Sequence, residues 1–257
     1  MNPDELVLYT FAVSHFSEKI RWALDASGIA YREVTWTPSL HLGRAFLKSR
    51  RGTTVPIVEM GGETVQDSTD ILHFLAERKA PFDLLPAEPD LRKEVLEIED
   101  RFDRVGDAVI RYAYSVVLAE PDRVLEAWLP RANRLEKALL PAIFPSMIIP
   151  ILRRKYEIRP DAVQRARDVI ASGIQWLDER VSDGRKYLAG DRFTAADVTA
   201  ASLLAPLACP DEHAVYSTPS YRAGIGPGVE AFAGSRSFDW VRRLYKEERR
   251  PRAGVRG

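Results

Sequence analysis

Two stretches of the chain carry residues whose types and spacing can do chemistry. The first runs Thr54-Val55-Pro56-Ile57-Val58-Glu59-Met60-Gly61-Gly62-Glu63-Thr64-Val65-Gln66-Asp67-Ser68. Beside Pro56, the amide and carbonyl of Val55 have no assured sheet partner, so they can pair with an extended, peptide-like ligand by strand addition. Asp67 or Ser68 caps a helix, and the free N–H groups at its start, with the helix dipole, attract a carboxylate. Asp67 adds a negative charge suited to an ammonium group. A carboxylate and an ammonium held side by side form the α end of an amino acid. The second stretch is Ser14-His15-Phe16-Ser17, a turn into a helix. Taken alone, its two serines are ordinary capping residues; it is the corner at Val55 and Ser68 that gives Ser14 a chemical reading.

The elements that must position these residues read as follows. Leu6 to Phe11 is a strand apolar on both faces, hence central. A helix follows, with Ile20, Ala23, Leu24 and Ser27 on its buried side and Gly28 as its C-terminal stop. Tyr31 to Val34 is a second strand, and a crossover of this length makes the two parallel. Trp36 to Arg51 reads as irregular or loosely helical. Pro56 opens a third strand to Met60, where a missing N–H costs little. Gly61-Gly62 supplies the positive φ of a two-residue hairpin, and Glu63 to Val65 runs back. A helix with Ile71, Leu72 and Leu75 inward ends near Arg78. The order β-α-β-α-β-β-α is that of a thioredoxin-like domain.

Pro81, Pro86 and Pro89 mark a linker, dividing the chain into residues 1–80, a connector at 81–90 and an all-helical bundle at 91–257. Leu91 to Leu118 is a long amphipathic helix, Pro121 to about Leu140 a second, and Pro160 to Val181 a third. The segment Pro141 to Pro150 holds three prolines and cannot be regular helix throughout; it is either a buried connector or a wall over a pocket. Thr194 caps a further helix, with Asp197 returning the bond and Phe193 packing at its start. Val198 to Leu207 is so apolar that it must lie in the core. The arginines from Arg249 to Arg256 read as a solvated end.

Composition removes several classes of function. The 257 residues carry 37 basic and 37 acidic side chains, so no global field steers nucleic acid or membrane. A single cysteine, Cys209, excludes an internal disulfide and a cysteine-only metal site. No apolar run reaches the ~18 to 20 residues of a membrane span, and the N-terminus lacks the basic start and apolar core of a signal peptide. A cytoplasmic protein without a metal is expected. No phosphate loop, zinc spacing or Ser/His/Asp triad is legible.

Val55-Pro56 followed by Asp67-Ser68 resembles the glutathione site of the glutathione S-transferase family. Gly190-Asp191-Arg192-Phe193-Thr194-Ala195-Ala196-Asp197 resembles the folding element of that family's C-terminal domain. The resemblance is strongest over residues 6–78 and 187–207, and it departs at Asp67, where many members carry Glu. It implies that Val55 pairs with the cysteinyl part of glutathione, while Asp67 and Ser68 hold the γ-glutamyl amine and carboxylate. His41 is the implied clamp on the glycyl carboxylate, with Arg50 and Arg51 in competition. Ser14 stands where relatives carry a catalytic Ser or Cys, and its hydroxyl would stabilise glutathione's own thiolate. Ser17 replaces the second cysteine of a redox pair, which removes disulfide exchange through the chain's own sulfur. Some members use a first-strand tyrosine instead, but registering on Arg21-Trp22-Ala23-Leu24 puts that position at Thr10 and not Tyr9. An apolar electrophile would draw on Phe11, Val13, the end of the long helix at Arg111-Tyr112-Ala113-Tyr114-Ser115 (Arg111, Tyr112 and Ser115 above all), and on the region of Ile148, although these aromatics serve equally as core. Conjugation is the first expectation. A glutathione-dependent isomerase, dehalogenase or ether-cleaving lyase is the alternative, as is a non-catalytic partner-binding relative. A homodimer is expected by family analogy.

Overall fold

The computed structural model describes residues 5–78 and 82–249. Pro81 of the expected connector and Arg250, Arg252 and Arg256 of the tail lie outside the described residues. The N-terminal part runs β1 (Val7–Thr10), α1 (His15–Ala26), β2 (Arg32–Thr35), α2 (Leu42–Ser49), β3 (Ile57–Met60), β4 (Glu63–Gln66) and α3 (Ser68–Arg78). The sheet order is β2-β1-β3-β4, with β1 parallel to β2 and antiparallel to β3. This is the thioredoxin-like order, with β1 central as its apolar run requires. Gly61 and Gly62 adopt φ of +60° and +79°, the conformation that closes the β3–β4 hairpin. α2 is a regular helix where the sequence reads as loosely ordered. Its inward face shows little in the sequence because Ala45 is its one buried residue, and Phe46 and Leu47 face outward.

The C-terminal part is helical: α4 (Pro89–Val117), α5 (Pro121–Trp128), α6 (Arg134–Ile143), α7 (Ile149–Lys155), α8 (Pro160–Arg180), α9 (Ala195–Ala208), α10 (Pro219–Val229) and α11 (Arg236–Glu248). Every residue of α9 is buried, and it packs against α1, α4 and α11. At its start the Asp197 carboxylate accepts from the Leu188 amide at 2.8 Å and the Thr194 amide at 2.9 Å. α8 approaches α4 closely at Gly173, where a Cβ would stand 2.6 Å from Val105 Cγ2.

Two sequence expectations are corrected, and the irregularity expected over Pro141–Pro150 takes a specific form. The helix expected over Pro121–Leu140 is broken after Trp128 by a 3₁₀ turn over Leu129–Arg131. α6 then starts afresh with a reciprocal cap: the Glu136 amide donates to Asn133 Oδ1 at 2.9 Å, and the Asn133 amide to Glu136 Oε2 at 3.1 Å. Pro141 to Pro150 stays helical by widening into a π turn over Phe144–Ile148, which spares Pro145 and Pro150 the i→i−4 bonds they cannot donate. Its inward stripe of Leu140, Phe144, Ile148 and Leu152 packs with Leu118, Val124, Leu125 and Trp128 into an apolar cluster apart from the main core. Its outward face shows Leu135, Leu139, Met147 and Ile151, and an 18-residue window within 134–155 reaches a mean hydropathy of 1.6. By length and composition alone that stretch equals a membrane span. Finally, Arg249 is not a solvated end: it donates to Glu18 and Asp25, both at 2.7 Å, with its guanidinium over the Trp22 ring.

Candidate active site

Ser14 is the N-cap of α1, and its Oγ accepts from the Ser17 amide at 3.1 Å. The oxygen is thus engaged as an acceptor while its proton remains available to donate. The loop that presents it is held from two sides. The Tyr216 hydroxyl donates to the Val13 carbonyl at 2.9 Å, and Arg21 Nη2 donates to the Phe11 carbonyl at 2.6 Å. Arg21 is itself fixed by Glu33 at 2.6 Å. His15 lies behind the loop with Nε2 3.0 Å from the Gly106 carbonyl; burial pulls its pKa down to about 4, so the ring is neutral at pH 7. Ser17 Oγ is buried without a partner among the described residues.

The second part of the site is the corner between β3 and α3. The Val55–Pro56 bond is cis. Gln66 Nε2 braces the approach by donating to the Thr54 carbonyl at 2.8 Å. Asp67 takes φ of +92°, an unfavourable region for a residue with a Cβ and one often found at binding sites. Its Oδ1 accepts from the Thr69 amide at 2.9 Å, so Asp67 and not Ser68 provides the cap. Ser68 Oγ accepts instead from Lys19 Nζ at 3.2 Å. Lys19 is fully buried and pairs with Glu99 at 2.5 Å and Asp103 at 2.7 Å. Thr69 Oγ1 donates to both of those carboxylates. Burial, reinforced by Glu99, lifts the Asp103 carboxyl to about 6 against the pull of Lys19. One lysine therefore ties together α1, the start of α3 and α4.

Ser14, Val55, Pro56, Asp67, Ser68 and His41 line one cavity of about 220 Å³, together with Phe11 and Val13. Its other wall comes from the helical part: Asp107, Ile110 and Tyr114 of α4, and Ile151, Leu152, Lys155 and Tyr156 at the end of α7. Tyr114 and Tyr156 stack with ring centroids 4.8 Å apart. Burial raises both phenols, Tyr156 to about 12, so neither ionises near neutral pH. Burial, with Asp67 adding its charge, also raises the Asp107 carboxyl. His41 stands edge-on to Phe11 at 4.3 Å, with Nε2 2.7 Å from the Thr53 carbonyl. Burial holds its pKa down at about 4 and the charge of Lys155 pushes the same way. The ring is therefore neutral at pH 7 and has no positive charge to offer a carboxylate.

The structure does not bring the other sequence-selected residues into this cavity. Tyr112 is buried toward the bundle and its hydroxyl donates to the Gly228 carbonyl at 2.8 Å. Arg111 donates to the Tyr156 carbonyl and Ser115 to the Tyr112 carbonyl. Arg50 and Arg51 are exposed and outside the lining, and Ile148 is buried in the second cluster. Tyr9 turns to Glu59, donating at 2.8 Å, and Thr10 donates to Glu33 at 2.6 Å. Tyr114, within the expected Arg111–Ser115 stretch, does line the cavity. Asp107 and Ile110 could have been found from the spacing of α4: Val95, Ile98, Phe102, Val105, Val109 and Tyr112 form its bundle face, which leaves them with Tyr114 on another. Lys155 and Tyr156 come from a distant element and carried no sequence signal. Among the described residues no group of three or more His, Cys, Asp or Glu is placed to hold a metal.

Comparison with known proteins bears on the whole arrangement. Residues 8–82 match the family model described as glutathione S-transferase, N-terminal domain, and residues 160–216 the one described as glutathione S-transferase, C-terminal domain, together more than half of the chain. The chain belongs to the glutathione S-transferase family. The two matches flank residues 83–159, where this member places α4 to α7. A maleylacetoacetate isomerase of Rhizobium meliloti is 34% identical over 94 residues, which span 36% of this chain and 44% of that protein. The glutathione S-transferase TCHQD of Arabidopsis thaliana is 23% identical over 79% of this chain and 77% of its own length. A glutathione transferase family member from Pseudomonas fluorescens Pf-5, crystallised with two glutathione molecules bound, superposes with a TM-score of 0.61 at 16% identity, covering 98% of this chain and 92% of that one. At that identity the likeness speaks for the glutathione S-transferase fold.

Proposed function

We propose that this family member binds glutathione in the cavity between its two parts and activates the thiol for attack on a small apolar electrophile. The observation that carries the reading is the state of Ser14. Its oxygen is occupied by the Ser17 amide, its proton is free, and it lines the same cavity as Val55, Asp67 and Ser68. In this reading the γ-glutamyl end sits at the start of α3, its carboxylate against the helix terminus and Ser68, its ammonium toward Asp67. The cysteinyl backbone lies along Val55. The sulfur then meets the Ser14 hydroxyl at the start of α1.

The energetics are modest. A thiol begins near pKa ~8.5, and lowering it by ~2 units needs ~2.7 kcal/mol of preferential stabilisation of the thiolate. A hydrogen bond to a charged group contributes about 1.5–3 kcal/mol and a helix terminus about 0.3–1 kcal/mol. Ser14 and α1 together reach that figure. The apolar wall of Phe11, Val13, Ile110, Tyr114, Ile151 and Leu152 supports an apolar second substrate.

The test is a pH titration of thiolate absorbance with glutathione bound, on the wild type and on Ser14→Ala. The expected result is a bound thiol well below that of free glutathione in the wild type, and a rise on substitution with affinity nearly kept. An unmoved titration would overturn the role of Ser14. A second reading, isomerisation with glutathione as the catalytic thiol, is favoured by the 34% identity to the maleylacetoacetate isomerase over 94 residues. We further take residues 1–80 as the glutathione-binding domain, 81–90 as its connector and 91–257 as the substrate domain, in a cytoplasmic homodimer. A single-subunit mass at micromolar concentration would overturn the dimer.

A further inference from the structure

The cavity is electrically polarised. At the α3 corner stand Asp67 and Asp107, near enough that the charge of one raises the carboxyl of the other. Next to His41 stands Lys155, which carries the one full positive charge among the described residues of the lining. Lys155 forms no ion pair among the described residues, and its ammonium lies over the ring of Tyr156, 5.5 Å from the centroid. Burial of its ammonium lowers its pKa, so it is partly stripped of water without receiving a counter-charge. Such a group gains more from an arriving anion than a solvated surface lysine does. The neutral, buried ring of His41 cannot supply that charge.

We propose that Lys155 is the carboxylate-binding residue of this cavity. This rests on the glutathione reading above and assigns to the α7 end a subsite that the α2 region does not provide. A ligand held at Asp67 and Ser68 and extended past Val55 continues toward Thr53, which His41 contacts, so its far end arrives beside Lys155. The carboxylate is either the glycyl end of glutathione or an acid group on the second substrate. Both are recognised by the same ammonium, and binding experiments separate them.

Calorimetric affinities are measured for glutathione and for its glycyl monoethyl ester on the wild type, Lys155→Met and Lys155→Arg. Lys155 is an exposed residue overall, so these variants are expected to keep the fold. The same proteins are titrated with two conjugates, S-(2,4-dinitrophenyl)glutathione and its analogue with a carboxylate on the ring. A wild type that binds glutathione about five- to tenfold more tightly than the ester, with the ratio lost in Lys155→Met and kept in Lys155→Arg, places the glycyl carboxylate at Lys155. A wild type indifferent to the ester but preferring the carboxylated conjugate by a similar factor, lost in Lys155→Met, places the substrate's acid there. Ratios that ignore both substitutions overturn the proposal while leaving glutathione binding intact. Absence of saturable glutathione binding in the wild type overturns the glutathione reading and this proposal with it.

Discussion

Replacing Lys19 with Met removes the ammonium that joins Glu99, Asp103 and the Ser68 hydroxyl inside the protein. Lys19 is fully buried and Glu99 almost so, and removing one partner of a buried ion pair costs about 3–5 kcal/mol because a charge is left uncompensated. Here the protein has a way to relax. The Asp103 carboxyl already sits at about 6, so at pH 7 taking up a proton costs only ~1.4 kcal/mol. A protonated Asp103 can then donate to Glu99. The expected loss is therefore near the lower end, about 3 kcal/mol at pH 7. The sign of its pH dependence follows. In the variant the carboxylate pair has a native pKa raised further above its unfolded value. The native variant binds a proton that neither the unfolded chain nor the native wild type holds between about pH 8 and 6. Its stability deficit must shrink as pH falls through that window, by up to ~1.4 kcal/mol per unit, and level off below about 6. Urea unfolding at pH 8, 7 and 6 on both proteins measures it. A deficit below about 1 kcal/mol, or one constant across the window, would refute the account of the cluster.

Other consequences can be checked in parallel. Ser14→Ala should raise the pKa of bound glutathione thiol by about 1–2 units in an absorbance titration, the equivalent of one charge-assisted hydrogen bond. Gly173→Ala should lower stability by about 1–3 kcal/mol in urea, since the new Cβ would stand 2.6 Å from Val105 Cγ2 and α8 would have to move away from α4. His15 has a folded pKa near 4, below its ordinary value, so the stability it protects is fully present above about pH 6.5 and is lost as pH falls toward 4. His15→Phe should flatten the fall of unfolding free energy over that range by up to one proton's slope.

How much of this was legible in the sequence varies with the range of the interactions. The corner was legible because it is local: the proline, the glycine pair and Asp67-Ser68 fix their own backbone within a few residues, and no distant partner is needed to recognise them. The Thr194–Asp197 cap was legible for the same reason. The helical wall was legible only in part. The Arg111–Ser115 stretch is the right end of α4 and its Tyr114 lines the cavity, but which side of a helix meets a cavity is set by its phase, and the apolar stripe through Val105, Val109 and Tyr112 points the other way. The neutrality of His41 could not be read either, because burial and a lysine 114 positions along the chain set it. Arg249 looked solvated because Glu18 and Asp25, its partners, are separated from it by almost the entire chain.

The cluster formed by α5, α6 and α7 has a consequence for how such a protein can change. Its buried apolar residues, from Leu118 to Leu152, form a cluster of their own that meets the core carrying the sheet, α1, α4 and α9 only through partly buried residues such as Val13, Val117 and Ala127. The part of the chain that supplies the α7 wall of the cavity is thus a semi-independent module set on a scaffold that holds Ser14 and Ser68 by separate bonds. Substitutions over 118–154 that spare Glu136, which accepts from Thr37 Oγ1 at 2.7 Å, are expected to leave those bonds undisturbed. On the proposed reading, lineages descended from such a chain can exchange one electrophile for another by rewriting the module around a retained Lys155, while the chemistry at Ser14 is inherited.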